Sequence, residues 1–192
     1  MTSELLIPGW QFYGLSQEHY AATMDKGVFY KGTQSARLDA TSETAPGSAG
    51  IHQIIDATNY RNKRIRFTAF IKTRDVEDRC GLYLSVSTRG YPTELDDMST
   101  CPIKGTIDWQ QFSVVVDVSK DSRRINFGTI LAGTGTVWLD AAVLEIVGDD
   151  VASTNISRSR FAARDSRRDN GGSNEEHQAL PKSPVNMDFE VV

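Results

Sequence analysis

A chain of 192 residues, 39% hydrophobic and 24% charged, reads as globular and has room for one ordinary domain with an appendage. A net charge of −4 argues against a nucleic-acid footprint, and no apolar run approaches the ~20 residues of a membrane span, so neither partner is expected for this module. Cys80 and Cys101 make no disulfide framework, and the start MTSELLIPGWQFYG lacks a basic stretch followed by an apolar core; both set cytoplasmic as the default location.

In chain order, Trp10 stands in a Gly-Trp turn after Pro8, expected at the rim of the module, and residues 16–20 offer only a single helical turn. From there the apolar period is two. In RIRFTAFIK, Ile65, Phe67, Ala69 and Ile71 share one side; GLYLSVS puts Leu82, Leu84 and Val86 inward; FSVVVDV does the same with Phe112, Val114, Val116 and Val118. Such alternation marks half-buried strands. Trp109 and Trp138 are expected as core anchors. In FGTILAGTGTVWLDAAVLEIV, Gly-Thr-Gly-Thr raises the question of a phosphate loop, but a dinucleotide fingerprint needs a third glycine where Trp138 stands and a helix after it. The two glycines instead predict a hairpin between residues 125–131 and 137–147. Many short strands with hardly a helix indicate an all-β jelly-roll sandwich over residues 5–150.

Beyond residue 150 the composition changes. Residues 151–184 are polar without a sustained apolar period, a flexible linker by composition, and the Arg158, Arg160, Arg164, Arg167 and Arg168 cluster reads as solvated rather than as an anion site. Six basic and six acidic residues follow position 150, so the body carries the whole net charge. Residues 185–192 differ: Val185, Met187, Phe189 and Val191 fall at strand spacing, and such a face needs a sheet edge. That edge is the body's own, a second copy's, or that of a second module begun here; the last is the expectation, which leaves the segment isolated.

Catalysis finds no support. His19, His52 and His177 are scattered, no Gly-x-Ser-x-Gly elbow exists, and neither cysteine sits in a nucleophile motif. A non-enzyme is therefore expected. Phe70 and Tyr83 occupy otherwise polar strand sides, beside Arg66 and Lys72, and flat rings with neighbouring polar groups suit a small-molecule or sugar face. The adjacent Asp96 and Asp97 cannot act as a pair across a cleft; in a loop they cap backbone amides or meet a ligand hydroxyl. These six residues form the candidate ligand-binding set. The alternative is that the aromatic positions contact a loop or an attached protein domain.

Four stretches carry a resemblance: GTQSARLDA, QIIDATNYRNKRIRFTAFIKT, LDDMSTCPIKGTIDWQQFSVVVDV and INFGTILAGTGTVWLDAAVLEIV. In this order, over about residues 9 to 150, the chain resembles a bacterial jelly-roll module of the galactose-binding-domain type, similar to carbohydrate-binding modules and found attached to transcription regulators, peptidases and esterase-like proteins. Asn62 stands for the family's usual glycine, Asp97 for its Asn and Ala141 for a second Asp. The resemblance implies a non-catalytic module and names no ligand; with the aromatic face, the expectation is a ligand-binding or sensory accessory module for a carbohydrate or another small molecule, with a structural spacer that docks onto an attached domain or self-associates as the alternative. It implies no cofactor beyond a structural Ca²⁺ at Asp140, for which no run of alternating carboxylates is visible. The terminal LPKSPVNMDFEVV resembles the Pro-x-Asn-Leu-x-Phe-Glu segment that opens such modules.

Overall fold

The computed structural model describes residues 7–88, 91–155 and 179–191. Among the described residues nine strands form: β1 (Gln11–Tyr13), β2 (Tyr20–Asp25), β3 (Ser35–Ala40), β4 (Ser48–Asp56), β5 (Lys63–Thr88), β6 (Tyr91–Asp96), β7 (Ile103–Val118), β8 (Arg124–Ala132) and β9 (Thr136–Val147). The two helical turns among the described residues are 3-10 turns, Gln17–His19 and Thr58–Tyr60.

β5 organises the rest. Its first half pairs antiparallel with β7 and β9, its second half with β8 and β6, and the register slips between Ile71 and Cys80. Asp75 adopts φ 53 in that gap, a left-handed backbone that turns the strand from one layer into the other. The first layer is β7-β5-β9-β3-β2, the second β1-β4-β8-β5-β6. Both halves keep the period of two. Ile65, Phe67, Ala69, Ile71, Leu82, Leu84 and Val86 are all fully buried between the layers, and Phe67 meets Phe127 across the core at 5.2 Å.

The structure corrects three sequence expectations. Gly133 and Gly135 do turn the chain, with φ 73 and 114, but β8 and β9 lie in different layers and do not pair, so no hairpin forms. The turn crosses the bend of β5, where a Cβ on Gly135 would lie 2.7 Å from Asp75 O and one on Gly133 2.9 Å from Asp78 Cβ. Trp10 is fully buried against Phe127 and Phe189 rather than at a rim. Trp109 is partly exposed, not a core anchor. Trp138 is buried, though outside the apolar core: it lies between the guanidinium groups of Arg37 and Arg74 and donates Nε1–H to Asp25.

The ends of the body also differ from expectation. Residues 153–155 remain attached, with Thr154 N–H donating to Val115 O and Thr154 Oγ1 accepting from Val115 N–H. Most of the stretch read as a linker, residues 156–178, lies outside the described residues. Residues 185–191, expected to stand isolated, lie against the body, and Phe189 is wholly buried there. Of the apolar residues at strand spacing, Phe189 and in part Met187 find a surface while Val185 and Val191 stay about half-exposed, in a turn-rich conformation rather than as a strand.

Candidate functional site

The bend in β5 divides the expected ligand set between two faces. Arg66, Phe70 and Lys72 lie on the outer side of the first layer, where each is already engaged. Arg66 pairs with Glu145 at 2.8 Å, Lys72 with Asp108 at 2.7 Å, and Phe70 stacks on Tyr30 at 3.7 Å. Beside them Arg66, Thr68, Gln111, Ser113 and Glu145 line a shallow cavity of about 220 Å³. Tyr83 lies on the outer side of the second layer. Asp96 caps its own loop, accepting from Met98 N–H at 2.8 Å. Asp97 accepts from Ser99 N–H and lies 3.8 Å from Arg79, close enough to Tyr83 and Tyr13 for its charge to raise both phenols' pKa.

The second layer's outer face is built differently. Strand pairing sets Gln11, His52, Gly128 and Tyr83 in one row across β1, β4, β8 and β5, with Ile54, Asn126 and Ser85 in the next. Tyr13 stacks on His52 at 4.2 Å and reaches 6.3 Å from the Tyr83 ring. Glycine makes this possible: a Cβ on Gly50 would lie 2.5 Å from Tyr13 Cε1, so only a bare backbone lets the ring lie across the sheet. Tyr83 Oη bonds Ser85 Oγ at 2.9 Å.

Tyr13 Oη, His52 Nδ1 and Asn126 Oδ1 on this face are buried with no hydrogen-bond partner. Buried polar groups ordinarily have one, and an unmade bond costs about 1–3 kcal/mol. His52 is 8% exposed; Gln11 Oε1 lies 3.2 Å from its Nε2, which places the ring proton there and leaves Nδ1 an acceptor. Burial lowers the His52 pKa to about 4, so the ring is neutral at pH 7. Burial likewise raises the pKa of Tyr13 and Tyr83, so both keep their protons. The face therefore offers acceptor nitrogen and oxygen, phenol hydroxyls and flat rings, all uncharged. Tyr13, His52 and Asn126 were missed from sequence; the signal was a glycine in the middle of two strands, Gly50 and Gly128.

Burial pushes the Cys80 thiol up to about 12, far from the thiolate a nucleophile needs. Asp140, the residue considered for Ca²⁺, is buried, and its carboxylate accepts from the N–H groups of Tyr30, Lys31 and Ala141 at 2.7, 2.9 and 2.6 Å. Desolvation raises its pKa, opposed by those donors. Ala141, at φ 46, supplies the third donor from a register slip in the β5–β9 pairing. Three donors converging on one carboxylate suit a backbone cap rather than a cation that wants six to eight oxygens. Among the described residues no group of three or more His, Cys, Asp or Glu side chains is placed to hold a metal.

No family model matches the chain. The uncharacterized HTH-type transcriptional regulator YbfP of Bacillus subtilis (strain 168) is 34% identical over 155 residues, 80% of this chain and 52% of YbfP. The chain thus spans about half the length of that curated relative. Among solved structures, the CBM22-1 xylan-binding domain of Paenibacillus barcinonensis Xyn10C superposes with a TM-score of 0.52 at 14% identity, over 72% of this chain and 86% of that one. This is the jelly-roll fold of carbohydrate-binding modules. The enzymatically active domain of bacteriophage CBA120 tailspike protein 4 shares it at a TM-score of 0.58 and 11% identity, over 73% of this chain and 20% of that one. At such identities the likeness is one of fold.

Proposed function

We propose that the chain is a non-catalytic recognition module that binds a carbohydrate, or a similarly hydroxylated neutral small molecule, on the outer face of its second layer. The observation that carries this reading is the trio of buried, unpartnered polar atoms: Tyr13 Oη, His52 Nδ1 and Asn126 Oδ1. A sugar satisfies such a set once the side chains that cover these atoms move aside, since its hydroxyls donate to the two acceptors and exchange bonds with the phenol while its C–H faces lie on the Tyr13 and Tyr83 rings. The xylan-binding neighbour supports the ligand class, and the regulator relative supports a sensory role inside a longer protein. On the other face Arg66, Phe70 and Lys72 already have partners within the chain, and Arg37 Nε, though without a well-aligned hydrogen bond, is charge-paired with Asp39 at 2.7 Å.

Titration calorimetry against a panel of neutral oligosaccharides tests this. Binding by the wild type, weakened roughly 10-fold or more in Asn126→Ala, is expected. No heat with any oligosaccharide or neutral polyol would remove the proposal. A second reading, docking of an attached domain, has its own observation in Val143, which stands half-exposed on the outer side of β9 of the first layer. It predicts that a charged residue at Val143 abolishes association while sugar binding persists.

A further inference from the structure

Residues 181–191 are held by the body with unusual completeness. Val185 N–H donates to Gln53 Oε1 while Gln53 Nε2 donates to Val185 O, a reciprocal pair. Ala142 N–H donates to Met187 O at 2.9 Å, Trp10 Nε1–H to Asn186 O at 2.9 Å and Gln34 Nε2–H to Phe189 O at 2.7 Å. Glu190 accepts from both the N–H and the hydroxyl of Thr33. The Phe189 ring, wholly buried, stacks on Trp10 at 5.0 Å. Space is reserved for the segment too: a Cβ on Gly9 would lie 2.6 Å from Val185 Cγ2, and one on Gly32 would collide with Glu190 Oε1.

An empty slot would expose Trp10 and strip the buried amides of Gln34 and Gln53 of their partners, so the body requires an occupant. None of these contacts depends on how the segment is joined to the rest of the chain. Between Asn155 and Ala179 lie 23 residues, which can span at most ~80 Å, so chain length does not restrict the segment to its own slot. Recognition combines hydrogen bonds to the segment's carbonyls with one buried ring, so a peptide from another molecule that takes the same turn makes the same contacts. We propose that this slot is a peptide-acceptor site that takes residues 181–191 from a second copy of the chain as well as from its own. The ligand class is a turn-forming Val-x-Met-x-Phe-Glu peptide, with Asn186 and Phe189 in left-handed backbone, Phe189 as its anchor and Glu190 as its polar lock. The own segment has the advantage of its tether, which makes its binding intramolecular. Exchange therefore shows when the own segment is weakened.

The test uses the full-length chain and a fluorescent peptide of residues 179–192, standing for the second copy's segment, followed by anisotropy. Full-length Phe189→Ala, whose own segment has lost its anchor, captures the peptide at a concentration roughly 100-fold lower than the wild type does. A peptide carrying the same Phe189→Ala change is not captured. Should the Phe189→Ala chain be unfolded alone, the proposal expects the wild-type peptide to restore its fold and thermal transition. Full-length Glu190→Ala, which leaves the core intact, captures the peptide at an intermediate concentration. Failure of both folded variants to bind the peptide, failure of the peptide to refold an unfolded one, or equal capture of the Phe189→Ala peptide would each overturn the proposal. None of these results bears on the sugar face, because the residues that hold the segment are not those that line that face.

Discussion

The two outer faces of this sandwich both carry aromatic side chains and polar ones, charged on the first and neutral on the second, and differ in what those residues have left to bond. On the first layer Arg66 has Glu145, Lys72 has Asp108 and Phe70 has Tyr30. On the second, Tyr13, His52 and Asn126 each keep one buried polar atom unmatched. A polar or aromatic side chain outside the core is thus a poor guide to a site by itself. The unsatisfied atom is the better one, because a fold sustains that cost where something else supplies the bond.

Four substitutions or conditions press on the contrast, in falling order of effect. Trp138→Ala should remove about 3–5 kcal/mol of stability, since it deletes the buried ring between Arg37 and Arg74 and leaves Asp25 without its indole donor. An unchanged denaturation midpoint would mean that the first layer's outer side is not sealed there. Next comes pH. The His52 pKa is lowered to about 4 in the folded chain from its ordinary 6.5, so between those pH values the folded chain binds fewer protons than the unfolded one. Stability is therefore complete above pH ~6.5 and falls by about 3 kcal/mol on acidification to pH ~4. In His52→Gln that part of the pH dependence should vanish; if it stays, another group carries it.

Gly50→Ala should cost about 1–3 kcal/mol by driving a methyl into Thr129 O and to 2.5 Å from Tyr13 Cε1. It should also abolish ligand binding, since Tyr13 must move. Retained binding in a folded Gly50→Ala protein would remove Tyr13 from the site. Smallest is Arg66→Ala. Its pair with Glu145 is about two-fifths exposed, so the loss should stay below about 1 kcal/mol and binding should be unchanged. A large loss of binding would reverse the assignment of the two faces.

The layers were legible in the sequence because period two survives in both halves of β5, in β7 and in β8. What the pattern could not show was the bend. Alternation lapses only over the mainly polar residues 74–79, where Asp75 takes a left-handed conformation that Asp tolerates better than most. A polar stretch between two strand halves does not announce that they lie in different layers. Phe70 and Tyr83 consequently looked like neighbours and lie on opposite sides of the molecule. The Gly133–Gly135 turn misled for a related reason: tight turns within and between sheets ask for the same backbone angles. Asn62 departs from the usual glycine, and its φ of 57 shows why the exchange is tolerated. His52 gave no signal, because one histidine in a strand looks the same whether its ring is satisfied or not. The terminal segment's need for a surface was readable from Val185, Met187, Phe189 and Val191; which surface depended on Gln53 and Gln34, distant in sequence and unremarkable there.

The most direct test of the central claim is a map of ligand-induced amide shifts in ¹H–¹⁵N spectra, recorded with a neutral oligosaccharide at pH 7. Shifts confined to Gln11, Tyr13, His52, Tyr83, Ser85 and Asn126 and their immediate neighbours, with Arg66, Phe70 and Lys72 unmoved, are the predicted result. Shifts centred on Arg66, Phe70 and Lys72, or none on either face at saturating sugar, would contradict it.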